Sequence, residues 1–139
     1  MKLYILDTDH ISLFQREHPR VIAKTGAKSP EQLTVTIVTI EEQLRGRLAQ
    51  LKSASSSVAI IKAFAELRKA VQFFNDIPIL DFDDAADARF TMLRQQKIRI
   101  GTQDLRIAAI ALVTGSILVT RNRSDFAKVP GLIIEDWSV

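Results

Sequence analysis

An α/β fold is predicted: a central parallel sheet of about five short strands flanked by helices, in a three-layer sandwich. Three observations predict it. Short apolar runs alternate along the chain with longer stretches whose apolar residues recur every three or four positions. The short runs are apolar at successive positions, as expected of strands buried on both faces. The chain has 139 residues, 47% of them hydrophobic, which suits one core and gives a single domain over residues 1–139.

The elements follow in order. Leu3–Leu6 is an apolar run ending at an acid, a candidate buried strand. Ile11–Glu17 reads as a short helix that Asp9 can cap, and Pro19–Lys24 as another with Pro19 in its first turn. Thr34–Val38 is rich in β-branched residues and reads as the second strand, and Thr39–Lys52 as a helix. The run Ser53–Ser57 is a loop. Ser57–Phe74 is the clearest helix, with Ile60, Ile61, Phe64, Leu67, Val71 and Phe74 at steps of three and four. Phe64, Phe73 and Phe74 are expected in the core. Ile77–Leu80 is a third strand. Asp84–Lys97 is a helix with acids in its first turn and Arg94 and Lys97 in its last. Thr102–Thr114 is almost wholly apolar from Ile107 onward, hence a central, covered helix. Ile117–Val119 and Leu132–Ile134 complete the strands.

Composition excludes several chemistries. With no cysteine, there is no disulfide scaffold, iron–sulfur cluster, thiolate zinc site or cysteine nucleophile. Two histidines, His10 and His18, leave a metal to be held by oxygen ligands, which favours hard divalent cations. The net charge of +3 permits a polyanionic partner without requiring one. No apolar run is long enough to span a membrane, and the N-terminal run is too short for a signal-peptide core, so a cytoplasmic protein is expected.

In open parallel sheets, ligands bind beyond the carboxyl ends of the strands. Asp7 follows the first strand, Glu42 lies one turn into the helix after the second, Asp104 opens the apolar helix, and Thr120, Asn122 and Asp125 follow the fourth strand. Each acid has a structural alternative. Asp9 can cap a helix; Glu42 completes a capping-box pattern with Thr39; Asp104 suits a helix dipole; Asn122 to Asp125 can cap a final turn. Asp7 is hardest to explain so, because a carboxylate at the end of a buried strand is costly unless paired or metal-bound. Capping explains these residues only singly. His10, beside Asp9, fits a structural hydrogen-bonding group better than a catalytic one.

These residues resemble the motifs of the PIN domain family, and within it the VapC-type toxin ribonucleases. Tyr4-Ile5-Leu6-Asp7-Thr8-Asp9 is similar to the first motif. Thr39-Ile40-Glu41-Glu42, with Gly46 four residues on, is similar to the second, and that spacing selects Glu42 over Glu41. Gln103-Asp104-Leu105-Arg106-Ile107-Ala108-Ala109 resembles the third, and Thr120-Arg121-Asn122-Arg123-Ser124-Asp125 the fourth. Many members carry an acid where this chain has Asn122, so Asn122 and Asp125 both stand as the fourth metal-site position. The resemblance implies a PIN-like sandwich and a Mg²⁺- or Mn²⁺-dependent endoribonuclease that cleaves RNA with a metal-activated water. Asp7, Glu42, Asp104 and Asp125 would be catalytic and, with Asn122, metal-binding. Thr8, Asp9 and Thr120 would support them, and Arg121 and Arg123 would contact substrate. It also implies a small cognate antitoxin and a homodimer formed through helices between Ile11 and Phe74.

Three rivals remain at this level. A catalytically weak PIN domain acting as an RNA- or protein-binding module is kept open by Asn122. A receiver-type signalling domain would use Asp81 as acceptor, but no Lys lies in Leu132–Val139. An aspartyl phosphatase would use Asp7 and Asp9, yet Ile11 stands where Thr or Val is usual.

Overall fold

The strands are β1 (Tyr4–Leu6), β2 (Leu33–Thr36), β3 (Ile79–Leu80), β4 (Ile117–Val119) and β5 (Ile133–Glu135). The helices are α1 (Thr8–Gln15), α2 (Pro19–Gly26), α3 (Ile37–Ser53), α4 (Ser57–Asn75), α5 (Asp84–Gln95), α6 (Thr102–Thr114) and α7 (Arg123–Phe126). In the computed structural model, which describes residues 1–139, the strands form one sheet in the order β3-β2-β1-β4-β5. Every pairing is parallel, with Tyr4 opposite Leu33 and Ile117, and Leu6 opposite Val119.

Successive residues of β1 and β4 point to opposite faces and seed two cores. Ile5 and Leu118 meet Phe90, Leu105, Ala108 and Phe126 from α5, α6 and α7. Leu6 and Val119 meet Ile11, Val21, Phe74 and Trp137 from α1, α2, α4 and the C-terminal segment. These are the three layers expected. The chain runs outward from β1 through β2 to β3, then returns to lay β4 and β5 on the other side. Its direction reverses between β1 and β4, which opens a crevice at their carboxyl ends.

Several boundaries shift, each for a local reason. β2 ends at Thr36, not Val38, because the Thr36 hydroxyl accepts the Thr39 N–H at 3.1 Å and starts α3 at Ile37. That cap overrides the strand propensity of Ile37 and Val38. It also removes the capping-box reading of Glu42, since Thr36 rather than Thr39 is the cap. Asp7, not Asp9, caps α1, accepting the Thr8 N–H at 2.9 Å. α5 ends at Gln95, and Lys97 lies beyond it in a left-handed conformation. Ser56, in the serine run, caps α4.

The larger correction concerns α4. Ala63, Ala70 and Phe74 are buried, whereas Phe64 is 56% and Ile61 69% exposed. Val58 and Val71 are exposed with them. The regular apolar stripe is a surface, because no other element of the chain covers that side of the helix.

Candidate metal-assisted nuclease site

Asp7 stands at the crevice. Its backbone N–H donates to the Val119 carbonyl at 3.0 Å, so it extends the β1–β4 ladder by one residue. One carboxylate oxygen caps α1; the other accepts the Thr120 hydroxyl at 2.9 Å. Burial pushes this carboxyl up to about 6; the charges of Asp9 and Asp104 add to the rise, and the Thr8 and Thr120 hydrogen bonds oppose it. Capping and a charged role therefore coincide in one residue.

Asp9 lies beside it in a firm cradle. The Arg121 N–H donates to it at 3.0 Å and the Thr120 hydroxyl approaches to 3.3 Å. His10 supplies the third contact, Nδ1 to Asp9 Oδ1 at 2.7 Å. The Trp137 N–H donates to His10 Nε2 at 3.0 Å, so Nε2 accepts and the ring proton sits on Nδ1. His10 is fully buried and ties α1 to the C-terminal segment, the structural role expected of it. Burial acts to raise the Asp9 carboxyl, but His10, the Arg121 N–H and Thr120 outweigh it and hold it below the usual range.

Glu42, on α3, and Asp104, on α6, face Asp7 from the sheet's end. Neither makes a salt bridge. Burial raises the Glu42 carboxyl, and the Asp7 charge raises it further. Burial likewise raises Asp104, with Glu42, Asp125 and Asp9 adding to the rise. These acids thus feel one another; the Arg45 charge partly offsets that of Glu42, and none of Asp7, Glu42 and Asp104 stands in a salt bridge. Glu41, the neighbouring acid, is committed elsewhere: Arg45 Nε donates to it at 2.8 Å.

Asn122 caps α7, its carbonyl accepting the Asp125 N–H at 3.4 Å. Its amide donates to Asp125 Oδ2 at 3.2 Å, and Asn122 N–H donates to Thr120 at 3.0 Å. Asn122 therefore orients Asp125, whose charge reaches Asp104. Lys128 stands 3.6 Å from the other Asp125 oxygen. The Arg121 and Arg123 side chains are exposed beside this turn and make no hydrogen bond or ion pair within the chain. Arg47, by contrast, turns to the α4 side of α3, among Gln15, Gln43 and Glu66.

The donor chemistry suits a hard divalent cation: the carboxylates of Asp7, Glu42 and Asp104, none of them in a salt bridge, gathered at a strand end. As placed, no three His, Asp or Glu side chains stand close enough together to hold one ion. The acids are gathered but not closed into a cage. Sequence reasoning missed the polar contact beside them, in which Gln103 donates to Glu41 across α6 and α3 at 3.2 Å. The signal available was position alone, since each residue directly precedes a site acid.

The profile of the PIN domain family matches residues 4–132. The chain belongs to the PIN domain family. Among curated relatives, the ribonuclease VapC1 of Haemophilus influenzae strain R2866 is 27% identical over 138 residues, covering 98% of each chain. The tRNA(fMet)-specific endonuclease VapC of Salmonella typhimurium is 25% identical over 141 residues, covering 99% of each. Among solved structures, the DNA-bound VapBC of Salmonella typhimurium superposes with a TM-score of 0.78 over 99% of each chain at 23% identity. This PIN chain therefore resembles VapC-type toxin ribonucleases over its whole length, and the receiver and aspartyl phosphatase readings fall away. In this PIN sheet, Asp81 follows the edge strand β3, two strands from Asp7.

Proposed function

We propose that the chain, a single PIN domain over residues 1–139, is a Mg²⁺- or Mn²⁺-dependent endoribonuclease and the toxin of a VapBC-type pair. The observation that carries this reading is the group of mutually repelling acids Asp7, Glu42 and Asp104, none in a salt bridge, at the β1–β4 crevice. Asp7, Glu42, Asp104 and Asp125 would hold the cation, with Asn122 orienting Asp125. When bound, the cation lowers the pKa of a water and offsets charge on the scissile phosphate. Thr8 and Thr120 fix the two oxygens of Asp7, so its carboxylate meets the cation without losing side-chain freedom at that moment. Asp9 holds the backbone of Arg121, which sets the start of the turn that carries Arg121 and Arg123 to the rim. Those two guanidiniums would take RNA phosphates.

The binding-module alternative rests on Asn122. It loses force because Asp125 supplies an acid beside it. A small antitoxin is the expected partner, as the solved VapBC assemblies suggest for relatives of this fold. The exposed stripe of α4 (Val58, Ile61, Phe64 and Val71) is offered for a homodimer. No helix is long and apolar enough to cross a membrane, and a cytoplasmic location is part of the proposed reading.

The test is cleavage of structured RNA, transfer RNA included, with Mn²⁺ and with a chelator, beside Asp7→Asn and Asp104→Asn. Metal-dependent cleavage absent from both variants is expected. Equal cleavage by wild type and variants would overturn the site.

A further inference from the structure

Glu42 and Asp104 repel each other, and neither has a hydrogen bond of its own to hold it. They sit 62 positions apart in sequence on different helices, α3 and α6. Val38 of α3 and Leu105 of α6 share one core, and a polar contact joins the two helices at the surface. Glu41 and Gln103, the residues immediately before Glu42 and Asp104, meet across the two helices, Gln103 Nε2 donating to Glu41 Oε1 at 3.2 Å. The link is braced at both ends. Arg45 donates to both oxygens of Glu41 through Nε and a terminal nitrogen. Arg106 donates to Gln103 Oε1, which orients the amide with its NH₂ toward Glu41; the flipped amide would set NH₂ against the guanidinium and oxygen against the carboxylate. Arg106 is in turn held over the Phe90 ring at 5.0 Å and near Phe82 at 5.9 Å. The series of interactions thus runs from the α5 core through Arg106, Gln103 and Glu41 to Arg45.

We propose that Glu41 and Gln103 form an interhelical latch that sets the spacing of Glu42 and Asp104 for cation binding. Both are positioning residues, and the proposal rests on the cation-site reading above. The latch acts where the site is not yet closed, since no three ligating side chains are gathered around one point. Glu41 and Gln103 touch neither carboxylate and would act through the backbones of α3 and α6.

The experiment is a titration of the full chain with MnCl₂, following free Mn²⁺ by electron paramagnetic resonance, with thermal unfolding measured alongside. Gln103→Ala is the cleanest probe because it changes no charge. It is expected to weaken Mn²⁺ binding about threefold, the scale of one hydrogen bond, with the metal-free unfolding midpoint unchanged. Adding Glu41→Ala to it should weaken binding less than the two single effects combined, because one hydrogen bond cannot be broken twice. The exchanged pair, Glu41→Gln with Gln103→Glu, rebuilds a donor and acceptor across the helices at constant charge and should recover most of the affinity. Wild-type affinity in Gln103→Ala, or strictly additive effects, would overturn the latch. Asp104→Asn separates the two readings. If it loses Mn²⁺ while Gln103→Ala keeps it, only the latch fails; if it binds as wild type does, the cation site fails and the latch with it.

Discussion

Asp7 carries the sharpest conflict between burial and charge in this chain. In the metal-free fold its carboxyl titrates near 6, against an ordinary 3.8. Between those values the folded chain binds more protons than the unfolded one, so stability falls as pH rises through that window. Above pH 6 the full penalty stands, on the order of 3 kcal/mol. Asp7→Asn keeps a capping oxygen and loses the charge. It should therefore raise the metal-free unfolding midpoint at pH 8, with the gain vanishing as the pH is lowered to about 4. A lower midpoint at pH 8 would mean that Asp7 is not strained. Mn²⁺ should stabilise the wild type and leave the variant unmoved. The importance of Asp7 was legible because it follows an apolar run directly. Its double duty as cap and buried acid was not, since that depends on where α1 begins.

At the scale of elements, α3 and α4 show what patterning does and does not reveal. Gly46 sits in the middle of α3 with nothing within 4 Å of where a Cβ would lie. Helix entropy alone then decides the substitution: Gly46→Ala should stabilise the fold by about 0.5–1 kcal/mol, measured by chemical denaturation. A destabilised variant would show that α3 is strained at that point. On α4 the period of three and four announced a helix correctly but not its buried side. The helix turns Ala63 and Ala70 inward, where small side chains permit close approach, and leaves Ile61 and Phe64 in solvent. Ile61→Glu combined with Phe64→Glu should leave monomer stability nearly unchanged, since these residues bury little within the chain. If α4 forms the homodimer, sedimentation should shift to the monomer; a dimer that survives both charges places the interface elsewhere.

Across the whole molecule, charge is unevenly sorted. The chain has sixteen acids and nineteen bases. With Asp7, Glu42, Asp104 and Asp125 in the pocket, twelve acids remain against nineteen bases, a surplus of seven around an acidic crevice. Arg121 and Arg123 are exposed cations in the turn after β4 whose side chains make no ion pair within the chain. Replacing both with Ala should weaken RNA binding and flatten the dependence of log K on log salt, by about 0.7 for each phosphate of a single strand that is no longer neutralised. An unchanged slope would remove them from the RNA surface. Fluorescence anisotropy across a salt series checks this, using Asp7→Asn so that the RNA stays intact.

The linear sequence was enough to establish the parallel α/β sandwich, because each strand is an apolar run and the helices between them carry their own period and caps. It also marked Asp7, Glu42, Asp104 and Asp125 as candidates, because ligands in such a fold bind beyond strand ends. Folding settled matters that depend on residues far apart in the chain. It assigned the cap of α3 to Thr36 and so freed Glu42 from a capping role. It gave Asn122 to the α7 cap and set its amide on Asp125. It turned the apolar stripe of α4 outward and brought Gln103 to Glu41. Local pattern is set by neighbours three or four residues away, whereas coverage and pairing are set by which surfaces meet, and those surfaces meet only once the sheet has gathered its helices.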